Sequence, residues 1–343
     1  MFESINSAQT SNWPLRIAAT AAVIAIGAVG ITLWRMIQMP LRSHRGPLPP
    51  ISAPQSDLSM RLEEHVRYLS ISVGERNVGR KGSLRLAADY IRAKLEGVGY
   101  KVGEQTFPVN YENVSNLEAE LAGTSVGQGM VVIGAHYDSV FGTVGANDNV
   151  SGVAATLELA RMLSSSNLRR NIRFLFFVNE EPPFFQTEQM GSLVYAKQLR
   201  HENVPVAAMI SLETIGYYSD APGSQKYPAV LGLFYPSRGD FIGFVGNSES
   251  RHLVRSAVRE FRKSAAFPSE GVAAPESWPG VGWSDHWSFW QQGYPAIMIT
   301  DTATFRYPYY HTPEDTIDKI DFNKMARVTE GVRSIVSGLA EEP

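Results

Sequence analysis

Val131-Val-Ile-Gly-Ala-His136-Tyr-Asp138-Ser139, followed by Gly145-Ala-Asn-Asp148-Asn-Val-Ser151-Gly152, decides how this chain is read. The apolar, β-branched run has the length and composition of a buried strand. It stops at a histidine and an acid. A glycine-rich loop then brings a second acid to the start of a helical pattern. Imidazole and carboxylate held at a rigid strand end are what zinc and similar cations need. His136, Asp138 and Asp148 are therefore candidate metal-site residues.

Outward from this stretch, strands and helices alternate. Ile172 to Val178, Val206 to Leu212 and Ala296 to Thr300 read as further buried strands, and Val230 to Phe234 as a short one. Lys101 to Val109 and Val114 to Leu121 alternate in polarity and read as an antiparallel pair. Helices are expected from about Asp57 (Leu58, Leu62, Val66 and Leu69 inward), over Ser83 to Glu96 (Leu86, Tyr90, Ile91 and Leu95 inward) and over Val153 to Leu163. Others are expected over Ser192 to Leu199, Arg251 to Phe267 and Asn323 to Leu339. The pattern predicts an α/β fold with a mixed, mainly parallel sheet and helices on both faces.

Ligands of such sheets gather at the carboxyl ends of the strands. Glu180 and Glu181 follow the second buried strand, and Glu213 follows the third. His311 lies in the loop Tyr307-Pro-Tyr-Tyr-His311-Thr-Pro-Glu-Asp315-Thr beyond the last strand. Four strand ends thus converge two histidines and several acids on one edge. This set suits two metals sharing a carboxylate better than one metal. One of the adjacent glutamates can bind metal while Glu180 serves as general base, and Asp138 can orient the His136 ring.

Composition narrows the chemistry. The chain has 343 residues, 44% of them apolar, and a net charge of −3, which gives no support for nucleic-acid binding. It contains no cysteine, so any metal is held by His, Asp and Glu. Zinc fits, with cobalt or manganese as substitutes. The remaining histidines (His44, His65, His201, His252) show no acid partner at metal spacing.

The amino-terminal region carries a second signal. Ile17 to Leu33 has no charge and is just long enough to span a bilayer. The expected organisation is a tail over 1–16, a transmembrane helix over 17–36, a proline-rich linker over 37–56 and a catalytic domain over 57–343. The linker is expected to hold the domain off the membrane. A cleaved signal peptide is the alternative, but no small-x-small site follows Leu33. Arg35, Arg42 and Arg45 after the span favour a cytoplasmic domain. An enzyme of the type described next more often faces outward, and an extracytoplasmic domain is the expectation.

HxD, then GANDNVSG, then a strand ending in Glu-Glu, then an acid after the next strand and a late histidine in YHTPEDT together resemble the M28 co-catalytic zinc metallopeptidases. The likeness covers roughly Leu62 to Leu339. It implies a zinc-exopeptidase-like fold and peptide hydrolysis by metal-activated water, with an aminopeptidase as the favoured type and two Zn2+ ions as cofactors. By the resemblance His136 ligates one zinc and Asp148 bridges. Glu180 is the general base, Glu181 and His311 ligate the other zinc, and Glu213 stands at the position of the second zinc's acidic ligand. Most aminopeptidase relatives carry Asp at that position. A further departure is the long Pro182-Pro-Phe-Phe-Gln segment, which suggests an apolar wall on the substrate pocket.

Trp283-Ser-Asp285-His286 resembles the family's Ser-Asp-His near the substrate. It implies that Asp285 meets a substrate amine and that Trp283 lines a pocket, whereas the local reading is a helix capped by Ser284. Tyr310, or Tyr309, is a candidate oxyanion donor. A glutaminyl-cyclase-like acyltransferase with one zinc, and a non-catalytic membrane-tethered binding protein, are the alternatives.

Overall fold

The computed structural model describes residues 13–110, 112–125 and 127–342. Residues 1–12 of the expected tail lie outside the described residues. Helix α1 (Trp13–Ile37) precedes α2 (Ala53–Arg67) and α3 (Ser83–Glu96). Strands β1 (Val102–Val109), β2 (Glu112–Leu121) and β3 (Met130–His136) lead into α4 (Gly152–Leu163). Then come β4 (Ile172–Phe177), α5 (Gly191–His201), β5 (Val206–Glu213), β6 (Ile242–Asn247) and α6 (Arg251–Ser264). The chain closes with β7 (Ser269–Ala274), α7 (His286–Trp290), β8 (Ala296–Thr300) and α8 (Phe322–Glu341).

The strands form one sheet in the order β1-β2-β4-β3-β5-β8-β6-β7. The central run β4-β3-β5-β8 is parallel, β2 and the β6-β7 pair run against it, and the edge strand β1 reverses again. Successive side chains of a strand point to opposite faces. Val131, Ile133, Phe174, Phe176 and Ile210 accordingly join the core under α2, α3, α4, α6 and α8. Val132, Leu175, Phe177 and Met209 join the opposite core with α5 and α7.

The expected strands β1 to β5 and β8 are all present. Four details differ. Ala229–Leu233 is a 3-10 turn rather than a strand, and the strand of this region is β6. Helix α6 stops at Ser264, and the unanticipated β7 follows. Leu86 of α3 faces solvent, while Leu84, Ala87 and Ala88 are buried beside Ile91 and Leu95. Helix α2 begins earlier than Asp57, at Ala53, because Ser52 and Gln55 form a reciprocal capping box.

Thr20–Ile37 is the one segment among the described residues long and apolar enough to cross a membrane by length and composition. The segment after it is not a free spacer. Arg251 donates to Arg35 O, Arg255 to Gln38 O, Arg262 to Pro40 O and Leu41 O, and Arg327 to Pro49 O. The linker therefore lies against the domain. Two of its prolines, Pro40 and Pro49, offer their carbonyls to arginines of the domain.

Candidate metal centre

The ends of β3, β4, β5 and β8 lie on one edge of the sheet, and each carries its candidate residues there. His136 ends β3. Its Nε2 lies 3.4 Å from Asp148 Oδ1 and 3.3 Å from Glu213 Oε2, with Glu180 Oε2 at 3.7 Å. On the other side of Asp148, His311 Nε2 lies 3.1 Å from Asp148 Oδ2 and 3.1 Å from Glu181 Oε2. One carboxylate thus has an imidazole against each of its oxygens. Glu213 sits beside His136 and not beside His311 and Glu181, which corrects any grouping of the three around one ion. Two sets of ligand atoms, from His136, Glu180 and Glu213 and from His136, Asp148 and Glu181, lie within 4.8 Å of one another.

Each residue is held from behind. Asp138 Oδ1 is 3.4 Å from His136 Nδ1, and the Asp138 carboxylate accepts from the backbone N–H groups of Glu180 and Glu181. Asp138 therefore ties the end of β3 to the end of β4. Asp315 does the same for the loop of Asp148, accepting from Asn147 N at 2.8 Å and Asp148 N at 3.0 Å. Tyr307 Oη fixes Asp315 in turn, at 2.7 Å. Gly145 opens this loop at φ 53, and a Cβ there would fall 2.1 Å from Asp148 O, so a side chain is excluded. Asn179, Thr214 and His311 take left-handed conformations beside or at the site, at φ 59, 43 and 57. Backbone strain of this kind gathers at functional sites.

Sequence reasoning missed two supports. Ser284 Oγ donates to Glu213 Oε2 at 2.8 Å and meets Ser211 Oγ at 3.0 Å. It is not the side-chain cap of α7, whose N-cap residue is Asp285. Arg76 is completely buried and donates to the carbonyls of Leu69, Gly74, Tyr137, Val144 and Gly145. It joins the His136–Asp138 segment to the loop of Asp148. An arginine 60 residues upstream in a polar stretch gives no periodic signal of such a role.

The electrostatics reflect acids packed around two imidazoles. Burial alone would depress His136, yet Glu180, Glu213, Asp138 and Asp148 raise it well above an ordinary histidine. Burial is likewise overcome at His311, where Asp148 and Glu181 raise the pKa to about 10. Burial and Asp148 push Glu181 up to about 8. Burial also raises Glu180 far above its usual range, opposed by His136 and reinforced by Glu181, Glu213 and Asp285. Asp148 is the exception. Burial opposes its ionisation, but His136 and His311 hold its carboxyl well below the usual range.

Buried carboxylates thus crowd the two imidazoles. Neither His136 nitrogen makes a well-formed hydrogen bond, nor do Asp148 Oδ2, Glu181 Oε1 and His311 Nε2. Buried polar atoms are almost always satisfied. Oxygen and imidazole donors left open around an acidic cavity fit divalent zinc.

A pocket of about 820 Å³, including its open mouth, adjoins the centre. Glu213 and Tyr310 form its metal-side wall, and Leu231, Phe244, Val272, Met298 and Phe305 make most of it apolar. Trp283 also lines it, stacked on Phe305 at 6.2 Å. Tyr310 stacks on the His311 ring at 3.8 Å. Asp285 is completely buried and does not line this pocket. None of the Pro182–Gln186 segment lines this pocket, and its Phe184 packs in the main core. His65 does have an acid partner, Glu158 at 3.2 Å, but this buried pair joins α2 to α4.

The arrangement is that of a zinc-dependent hydrolase, and comparison with known proteins agrees. Residues 116–336 match the peptidase family M28, and the chain belongs to that family. It is 39% identical over 294 residues to the uncharacterized protein YfbL of Escherichia coli, covering 83% of this chain and 90% of that one. It is 28% identical over 216 residues to the aminopeptidase YwaD of Bacillus subtilis, covering 60% of this chain but 40% of that longer protein. In fold it resembles LapA aminopeptidase of Legionella pneumophila, with TM-score 0.66 at 18% identity over 87% of this chain and 78% of that one. Glutaminyl cyclase of Bacteroides thetaiotaomicron shares the fold too, with TM-score 0.61 at 18% identity over 85% of this chain and 99% of that one.

Proposed function

We propose that the protein is a di-zinc aminopeptidase anchored to a membrane by its amino-terminal helix. The observation that carries this reading is Asp148, whose two oxygens each face a different histidine. His136, Glu213 and Asp148 would hold one zinc, and His311, Glu181 and Asp148 the other. Two zinc ions so held supply Lewis-acid polarisation of a carbonyl and lower the pKa of water to about 7.

The chain's own residues supply the rest. Glu180 is buried beside His136 and accepts the proton of the attacking water, then gives it to the leaving amine. Asp138 keeps the His136 ring oriented and fixes the backbone of both glutamates. Burial holds the Tyr310 phenol protonated, so its hydroxyl serves as a donor toward the oxyanion on the pocket side. The apolar pocket receives the side chain of the substrate's first residue and keeps bulk water from it.

The test is Glu180→Gln. Zinc affinity should stay within a few-fold of the parent while turnover of aminoacyl amides falls by about 100-fold to 10,000-fold. Undiminished turnover would remove Glu180 from the role of base.

A further inference from the structure

The geometry points to a fixed orientation on the bilayer: the sheet edge opposite the metal centre faces the lipid headgroups, and the metal centre points into water. This rests on the reading of α1 as a membrane anchor.

Three elements set the direction. The metal edge is marked by Glu213 and Thr300, the paired ends of β5 and β8. Strand β6 runs against β8, so Gly243, near its start, pairs with Thr300, and Glu270 near the start of β7 pairs with Gly243. The far ends of β6 and β7, at Asn247 and Ala274, therefore lie at the opposite edge. Helix α6 starts just after Asn247 and climbs back toward the metal edge.

The segment that leaves α1 follows the same climb. Arg35 O is held by Arg251 at the start of α6. Gln38 O is held by Arg255 one turn on. Pro40 O and Leu41 O are held by Arg262 near its end. Ser43 Oγ then accepts from Ser269 N at the upper end of β7. The order never reverses. Residues 35–43 are a strap rising from the lower edge, and α1 approaches from below.

The last turns of α1 agree. Met36 is buried in the same apolar cluster as Ala274, Val206 and Ala296, which are lower-edge residues of β7, β5 and β8. Leu33 and Ile37 pack against that cluster. Residues 20–32 of the helix are exposed. The eleven residue steps of α6 from Arg251 to Arg262 rise ~16 Å. The metal edge thus stands at least about that far above the point where the chain leaves the helix.

Two consequences follow. The surface meeting the headgroups is the lower-edge set of turns, including those before β5 and β8. The enzyme reaches free peptide termini on the water side, not segments lying at the lipid surface.

The absence of cysteine makes the test direct, since an introduced cysteine is labelled alone. Glu202→Cys marks the lower turn before β5, and Ala221→Cys marks the exposed loop past its upper end. Each variant of the full chain, carrying one fluorophore, is reconstituted in phosphatidylcholine vesicles containing headgroup-quencher lipid. Quenching at Glu202→Cys should exceed that at Ala221→Cys several-fold. Arg251→Ala with Arg255→Ala, which frees the lower strap, should bring the two labels closer together. Equal quenching in the parent chain, or stronger quenching at Ala221→Cys, overturns the orientation. Flotation of the unlabelled chain with the vesicles reports separately on the anchor: a chain that stays in the soluble fraction removes the anchor reading, and this inference with it.

Discussion

The Ser284 hydroxyl donates to the Glu213 carboxylate at 2.8 Å, in a completely buried position. Glu213 has one more methylene than aspartate, so its reach to the metal position depends on how its end is held. Ser284→Ala removes that hold while leaving the pocket shape intact. Outer partners of metal ligands are worth about 10-fold to 100-fold in affinity. Zinc titration of the variant should show one of the two binding steps weakened by that factor and the other nearly unchanged. Equal weakening of both would mean that Ser284 acts on the fold as a whole.

Arg76 is the structural counterpart at the end of β3, the strand that carries His136. Its guanidinium satisfies five carbonyls and is buried among Asp138, Asp315, Asp148 and Glu181, yet burial pulls its pKa down only to about 10, so it stays charged. Arg76→Met leaves those carbonyls without partners and the acids without a neighbouring cation. Losses of about 3–5 kcal/mol are usual when one member of such a buried charged group is removed. Chemical denaturation should show a loss of that size, with Arg76→Lys recovering part of it. A variant as stable as the parent would contradict the stapling role.

His286 makes stability depend on pH away from the metal centre. Its Nε2 faces Val281 O at 2.7 Å, and its Nδ1 has no partner. Burial pushes its pKa from 6.5 down to about 4. The neutral ring therefore stabilises the fold above pH 6.5, and this contribution drains away as pH falls from 6.5 toward 4. The full effect is at most ~3 kcal/mol. The melting temperature of the parent should drop over that window, and His286→Gln, which keeps the donor to Val281 O, should flatten the drop. An unchanged acid limb in the variant would assign the sensitivity to other groups.

The central strands were legible because they are buried on both faces. IRFLFFV and VVIGA are continuous apolar runs, and the ligands stand immediately after them. Strands β6 and β7 were not, because Gly243, Gly246, Glu270 and Gly271 break their apolar character. VLGLF, Val230 to Phe234, imitated a strand instead. Leu231 lines a pocket while Val230, Leu233 and Phe234 face solvent, with Leu233 81% exposed.

At the site, the sequence order of His136, Asp148, Glu180, Glu181, Glu213 and His311 was enough to bring them to one edge. Which ligand sits beside which histidine was not readable, since it depends on strand order. Ser284 looked like a helix cap because serine before a helical run has that local meaning. Its bond to Glu213 spans 71 residues, and Arg76 to Tyr137 spans 61. Contacts of that separation leave no trace in local spacing.

The central claim is that Asp148 serves two ions at once. The most direct test is the zinc content of the folded full chain, measured by native mass spectrometry during stepwise loading and alongside turnover of aminoacyl amides. The account requires two zinc ions per chain at saturation, loss of both in Asp148→Asn, and loss of turnover on chelation with recovery on zinc return. A single zinc at saturation, with cyclisation of amino-terminal glutamine and no peptide hydrolysis, would contradict it.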